Sequence, residues 1–423
     1  MISRRHFLKN TANMLVGVPF MQLEKEFLPF SESKYTADND PLWTELREKF
    51  PLNKNRVYFN NGTLGPSPQV VLDVVIDAMK KIESTGEMAH TIDAPRKSIA
   101  QFVKVLPSEI ALTKNTTEGI NIIAWGLPLK KGDEVIISNH EHVGNALPWL
   151  HVAKAKSLKI KVLVLGNSAD ETLSNFKKII SSKTKVIAIP HITCTTGQVQ
   201  PIKEMAQYAH QKGIFVAVDG AHGAGMLDLD LKALGCDFYA TCCHKWLLGP
   251  KGTGFLYVKK EMQDILMPHF VGAGTHQGWA ISPEKVELLN PTNSAERYDY
   301  GTYNQAMWIG VAAAIDFFEK IGMEKVEARV KELNQYLQSK LLELSKKDIK
   351  MLTPTEGGST SGMLGFKLLN KDSKVFANEV NSRFRMRYVA EHGLNSLRIS
   401  THIYNNKNEI DDFILFLKNY LNH

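Results

Sequence analysis

The strongest constraint on the fold is an alternation of strand-like and helix-like segments that begins near Glu109. EIALT precedes TTEGINIIAWGL, EVIIS precedes a stretch through Pro148 and Trp149, and KVLVLG precedes ETLSNFKKII. The series continues with KVIAIPHIT then PIKEMAQYAHQKG, and IFVAVDGA then LDLKALG, and closes on DFYATCC and GTGFLYV. Short β-branched runs alternating with helices imply βαβ crossovers, and so a mostly parallel sheet covered on both faces. In such sheets ligands bind at the carboxyl ends of the strands. Thr116, His140, His142, Asp219 and Lys245 all stand at or just beyond a strand end.

After about residue 305 the pattern changes to longer helices, MWIGVAAAIDFFEKIG and the run Glu324 to Lys346, followed by strands MLGFKLL and SLRIST and a last helix EIDDFILFLKNYL. A chain of 423 residues exceeds what one core usually supports, roughly 250 to 300 residues. We expect a leader over 1–30, an N-terminal segment over 31–65 that crosses to the smaller domain, a large ligand-binding domain over 66–325 and a small α+β domain over 326–423. Gly357-Gly358 reads as a turn.

The formal charge is +7, from 51 Lys and Arg against 44 Asp and Glu. No dense basic tract accompanies it, so a solvated surface is expected rather than a nucleic-acid partner. The longest unbroken apolar run, MLVGVPFM from Met14, falls short of the roughly 18 residues a membrane helix needs. SRRHFLK at Ser3 to Lys9, followed by a weakly apolar segment, resembles a twin-arginine export signal, from which a periplasmic or exported protein is expected. A frayed basic tail on a cytoplasmic protein is the alternative.

The chemistry concentrates on three places. Asp219 follows an apolar strand in VAVDGAHGAG and is expected to be partly buried, where a carboxylate must be paired; alone it would read as a helix cap. Lys245, in TCCHKWLLGPKGTGF, lies 26 residues on, at the end of a later strand. A desolvated Lys forms Schiff bases, and a buried Asp partners a pyridinium nitrogen. TKNTTEGIN supplies Asn115, Thr116 and Thr117 where a strand gives way to a helix, and helix N-termini bind anions. Together these are the amine, the carboxylate and the phosphate cradle that pyridoxal 5'-phosphate requires. A metal site on Cys242, Cys243 and His244 is disfavoured, because neighbours on a strand face opposite sides. We expect no metal.

The motifs YFNNGTLGPSP, NTTEGIN, ISNHEHVGNALPW, HITCTTGQVQPI, VDGAHGAG, CHKWLLGPKGTGF, YGTYN and LRISTHIYN occur in this order from Tyr58 onward. In this the chain resembles the class V aminotransferase family of fold-type I pyridoxal phosphate enzymes, which includes cysteine desulfurases and isopenicillin N epimerase. The resemblance implies an α/β fold with a large, mostly parallel seven-stranded-type sheet domain and a smaller C-terminal α+β domain. It implies that Lys245 forms the Schiff base and acts as general base, that Asp219 holds the ring nitrogen, and that His222 reaches the phenolic oxygen. It further implies that His142 stacks on the cofactor ring, that Asn115, Thr116, Thr117 and His244 bind the phosphate with Gly301 and Thr302 supplied by the second subunit of a homodimer with shared active sites, and that Arg398 clamps the carboxylate of an amino-acid substrate, which Asn61 and Gly62 also approach.

Three positions depart from the desulfurase pattern. Phe384 to Ser400 contains no Cys to attack a substrate sulfur, Cys194 stands where desulfurases tend to have Asn, and Cys242 stands where they have a phosphate-binding Ser. The remaining match is most like the isopenicillin N epimerase branch. The reading is therefore an amino-acid epimerase, racemase or aminotransferase, with a carbon–sulfur β-elimination lyase as the alternative and a non-enzymatic metal- or cofactor-binding protein as a remote one. Cα deprotonation is the shared first step of the enzymatic readings.

Overall fold

The computed structural model describes residues 40–88, 92–344, 346–355 and 361–422. The expected leader and twin-arginine signal, and the Gly357-Gly358 turn, lie outside the described residues. The chain enters through the helix Pro41–Glu48, capped by Asp40, whose carboxylate accepts from the Leu42 N–H at 2.9 Å. It then forms β1 (Val57–Tyr58).

A seven-stranded sheet follows, from β2 (Ile110–Thr113), β3 (Glu134–Ser138), β4 (Lys159–Leu163), β5 (Thr184–Pro190), β6 (Phe215–Asp219), β7 (Phe238–Cys242) and β8 (Gly254–Val258). Their order is β2-β8-β7-β6-β5-β3-β4, and only β8 runs against the rest. Consecutive residues of each strand feed opposite cores. Val216 and Val218 of β6 join one apolar cluster, while Ala217 joins the other. This alternation is why the strands read as continuous apolar runs: both faces are covered by helices. β4 sits two residues earlier than the sequence pattern KVLVLG suggests. Its only neighbour, β3, ends at Ser138 opposite Leu163, so Val164 and Leu165 run past the last available partner.

An exposed hairpin that the sequence reading does not contain, β9 (Trp279–Ser282) with β10 (Lys285–Leu288), follows the large sheet. Beyond the long helices Gln305–Ile321 and Met323–Leu342 come β11 (Ile349–Met351), β12 (Met363–Leu368), β13 (Phe384–Arg385), β14 (Arg387–Val389) and β15 (Ser396–Ser400). Four of these form a second, antiparallel sheet ordered β11-β12-β15-β14. The N-terminal β1 pairs in parallel with β13, which carries the segment Phe59–Gly65 back over the carboxyl edge of the large sheet. Among the described residues no helix is long and apolar enough to cross a membrane.

Candidate active site

A cavity of about 230 Å³ opens at that carboxyl edge, lined by Gly62, Thr63, Asn115, Thr116, Thr117, His142, Gly144, Asp219, Ala221, Cys242, His244, Lys245 and Arg387. Asp219 ends β6 at 5 % exposure. The Ala221 N–H donates to its Oδ1 at 3.0 Å, and Oδ2 has no hydrogen-bond partner among the described residues. Burial pushes the carboxyl up, while that N–H and the charge of Lys245 oppose the shift.

The other end of the cavity is built for an anion. Asn115 caps the helix Thr116–Gly126 by accepting from the Glu118 N–H at 3.0 Å. The N–H groups of Thr116 and Thr117 come before the first intrahelical bond and remain to be satisfied. His244 Nδ1 is buried with no hydrogen-bond partner. Burial, and next the charge of Lys245, lower this imidazole to about 4, so it is neutral near pH 7.

His142 caps the next helix, Val143–Lys156, with its ring: the Gly144 N–H donates to Nδ1 at 3.0 Å. The neutral ring therefore carries its proton on Nε2. Burial, followed by Lys245 and Arg387, brings it to about 4. His222 lies behind the cavity, 3 % exposed, with Trp246 Nε1 donating to its Nδ1 at 3.0 Å.

The loop bearing Lys245 is clamped from both ends of the chain. The Gly65 N–H donates to the His244 carbonyl at 2.8 Å, Asn61 Nδ2 to the Lys245 carbonyl at 3.4 Å and His402 Nε2 to the Trp246 carbonyl at 3.0 Å. Tyr404 Oη donates to Asn61 Oδ1 at 3.0 Å. Both polar atoms of Asn61 thus serve the clamp, and Asn61 does not line the cavity, whereas Gly62 does. The approach at Gly65 is close enough that a Cβ there would lie 1.9 Å from the Lys245 carbonyl oxygen.

Arg398 is fully buried. Its Nη1 donates to the Cys194 carbonyl at 2.7 Å and its Nη2 to Thr63 Oγ1 at 2.9 Å. Burial, then the neighbouring Arg387, works against its charge, which a guanidinium nonetheless keeps. Arg387, absent from the sequence-based site, lines the cavity directly and donates through Nη2 to Glu391 Oε1. Arg387 and Arg398 are direct cross-strand partners in β14 and β15. Like charges placed opposite each other destabilise a sheet, so this pair makes sense as a holder for an anion. Spacing alone could not reveal it, because the pairing depends on the register of two strands.

Gly301 and Thr302 lie outside this cavity and line a separate one with Arg96, Asp299 and Tyr303. Cys242 faces the site, while Cys243 belongs to the core on one face of the sheet. Among the described residues no group of three or more His, Cys, Asp or Glu is arranged to hold a metal.

Pyridoxal 5'-phosphate fits these residues. The orphan His244 nitrogen and the free helix N–H groups suit its phosphate, the open oxygen of Asp219 suits its ring nitrogen, and Lys245 lies in the same cavity for its aldehyde. Comparisons with known proteins agree. The family model for Aminotransferase class-V matches residues 58–413. A probable cysteine desulfurase of Borreliella burgdorferi is 30% identical over 405 residues, covering 88% of this chain and 95% of the relative. Isopenicillin N epimerase of Amycolatopsis lactamdurans is 27% identical over 391 residues, covering 89% and 98%. The apo structure of a cysteine desulfurase from Thermococcus onnurineus NA1 superposes with a TM-score of 0.81 at 26% identity, covering 89% of this chain and 98% of that one. The chain belongs to the aminotransferase class-V family and is a pyridoxal phosphate-dependent enzyme with the fold-type I architecture.

Proposed function

We propose that the protein acts on an α-amino acid, with Lys245 as the single base that moves the Cα proton. When bound, the cofactor supplies an aldehyde that condenses with amines and a protonated ring that accepts the electron pair of a carbanion. The observation that carries the reading is Arg387, which lines one end of a cavity whose other end is an anion cradle, with its cross-strand partner Arg398 buried behind it next to Thr63 and Gly62 of the lining. Glu391 pairs with Arg387, while among the described residues Arg398 has no carboxylate in an ion pair with it, which leaves one positive charge for the substrate carboxylate. Asp219 keeps a proton on the ring nitrogen, and His222 Nε2, whose proton is fixed by the Trp246 bond to Nδ1, serves the phenolic oxygen.

Among the reactions that share this first step, transamination is favoured over epimerisation. Inverting Cα by two bases needs an acid on the side away from Lys245. His142, which the family places across the ring, is uncharged at neutral pH with Nδ1 already bonded. Desulfuration through a thiolate is disfavoured: burial pushes Cys194 up to about 11 and raises Cys242 as well. β-Elimination from a sulfur amino acid is the second reading, supported by the desulfurase relatives, because it needs the base but no thiolate. Incubation with a panel of L- and D-amino acids, assayed for keto acid, ammonia, sulfide and inverted enantiomer, decides among these. Keto acid formed together with an aminated cofactor supports transamination, and inversion without keto acid would overturn it.

Gly301 and Thr302 are proposed to reach the phosphate of a second copy in a homodimer; full activity in a particle that sediments as a single chain would contradict this. Export by the twin-arginine route is proposed from SRRHFLK. Recovery of all the protein, unprocessed, from the cytosol would exclude it.

A further inference from the structure

One buried carboxyl at the site has no part in this chemistry. Glu141 stands between His140 and His142 at 3 % exposure. The Ser138 N–H and Oγ–H donate to its Oε1 at 2.8 and 2.6 Å, and Asn145 Nδ2 donates to Oε2 at 2.7 Å. Asn145 in turn donates to the Ala188 carbonyl of β5 at 3.2 Å and accepts from Trp149 Nε1 at 3.1 Å. In the other direction, the main-chain carbonyl of Glu141 accepts from His392 Nε2 at 2.8 Å. His392 follows directly on Glu391, the partner of Arg387. Glu141 is therefore bonded to the end of β3, to the helix that His142 caps, to β5 through Asn145, and to the loop after β14.

We propose that Glu141 is a positioning residue that sets His142, at the cofactor end of the cavity, in register with Arg387 at the substrate end. The residue acts from behind, through its side chain on the His142 helix and through its carbonyl on the Glu391–His392 turn. Only the assignment of His142 and Arg387 to catalysis rests on the function proposed above; the joint itself does not. A structural carboxylate would normally find a Lys or Arg, but among the described residues Glu141 has none. The titratable groups around it are His140 and His142 on its own segment, Asp219 at the end of β6 and His392 from the loop. Burial pushes the carboxyl up to about 8 against its three donors, and Asp219 adds to the shift. It is thus uncharged at neutral pH. Its stabilising contribution is complete below about 4.5 and is lost as pH rises through about 8.

The test compares wild type with Glu141→Gln, which keeps the size of the side chain, and His392→Ala, which cuts the exposed tether together with the ring contact to His140. In cofactor-free protein, the His142 ring is followed by NMR with labelled histidine. Its midpoint, near 4 in wild type, is expected to move toward 6.5 by at least one unit in Glu141→Gln, and thermal stability between pH 7 and 9 is expected to fall less than in wild type. In loaded enzyme, His392→Ala should raise KM about fivefold with kcat nearly unchanged, the size of one ordinary hydrogen bond. An unmoved His142 midpoint together with unchanged KM overturns the proposal. Failure of wild type to take up pyridoxal phosphate would instead overturn the function proposed above, with the cofactor-free measurements still deciding on Glu141.

Discussion

The two ends of the cavity are built in different ways. Apart from the Lys245 loop, which is clamped from both ends of the chain, the cofactor end consists of turns that are local in sequence: Asn115 to Thr117 after β2, His142 to Gly144 after β3, and Asp219 to Ala221 after β6. The substrate end is assembled across the length of the chain, with Arg398 bonded to Thr63, 335 residues away, and to Cys194, 204 residues away. A local turn forms its site whenever its strand and helix form. A long-range site exists only if the small sheet, the N-terminal segment and the large sheet meet in one register, so its failures should appear in substrate affinity before they appear in cofactor binding.

The largest expected effect lies at the cofactor end. Asp219→Asn should lower kcat by roughly 10²- to 10³-fold, the scale of losing one preorganised electrostatic partner, with KM changed little; this is read from steady-state kinetics. At the substrate end, Arg398→Lys should raise KM roughly 100-fold by losing a charge-assisted fork, and Arg387→Lys, at a mostly buried position beside Glu391, roughly tenfold. Equal loss of cofactor in these arginine variants would erase the distinction between the two ends.

A smaller effect comes from the buried imidazoles around the cofactor end and the Lys245 loop. His142, His244 and His402 are lowered to about 4 by burial, and His222 is lowered well below its ordinary value. A depressed histidine stabilises the fold above its unfolded value near 6.5, and that contribution is lost as pH falls toward 4. The melting temperature should therefore drop by roughly 5 °C or more between pH 6.5 and 4.5. The smallest effect is expected for Cys242→Ser. The thiol meets the Ala221 carbonyl at 3.8 Å and the Thr116 side chain, and a hydroxyl is the better hydrogen-bonding group. Cofactor Kd should stay the same or tighten, and a clear loss would mean that the sulfur is needed for packing.

This contrast also explains what the sequence could reveal. The parallel sheet was legible because β6 and its neighbours are apolar on both faces, and Asp219, Lys245 and the Thr116–Thr117 turn were legible because each sits where a strand ends. Arg387 was not, since nothing in FRMRYVAEHGLNSLRIS says that it faces Arg398. Asn61 and Gly62 were found as neighbours in one motif, yet their surroundings separate them: Gly62 lines the cavity, and Asn61 spends its amide on the Lys245 loop. The hairpin Trp279–Ser282 and Lys285–Leu288 escaped because its apolar residues are exposed, Val286 at 83%, so the pattern of a buried strand is missing.

The central claim is that Lys245, opposite Asp219 and beside the phosphate cradle, is the residue that carries the cofactor. The direct measurement is the near-violet absorbance of purified protein loaded with pyridoxal phosphate, before and after borohydride, followed by mass spectrometry of its peptides. Wild type should be yellow, bleach on reduction and carry the reduced cofactor on the peptide containing Lys245, while Lys245→Ala should show neither the absorbance nor the label. A label on any other lysine, or an unchanged spectrum in Lys245→Ala, would contradict the account.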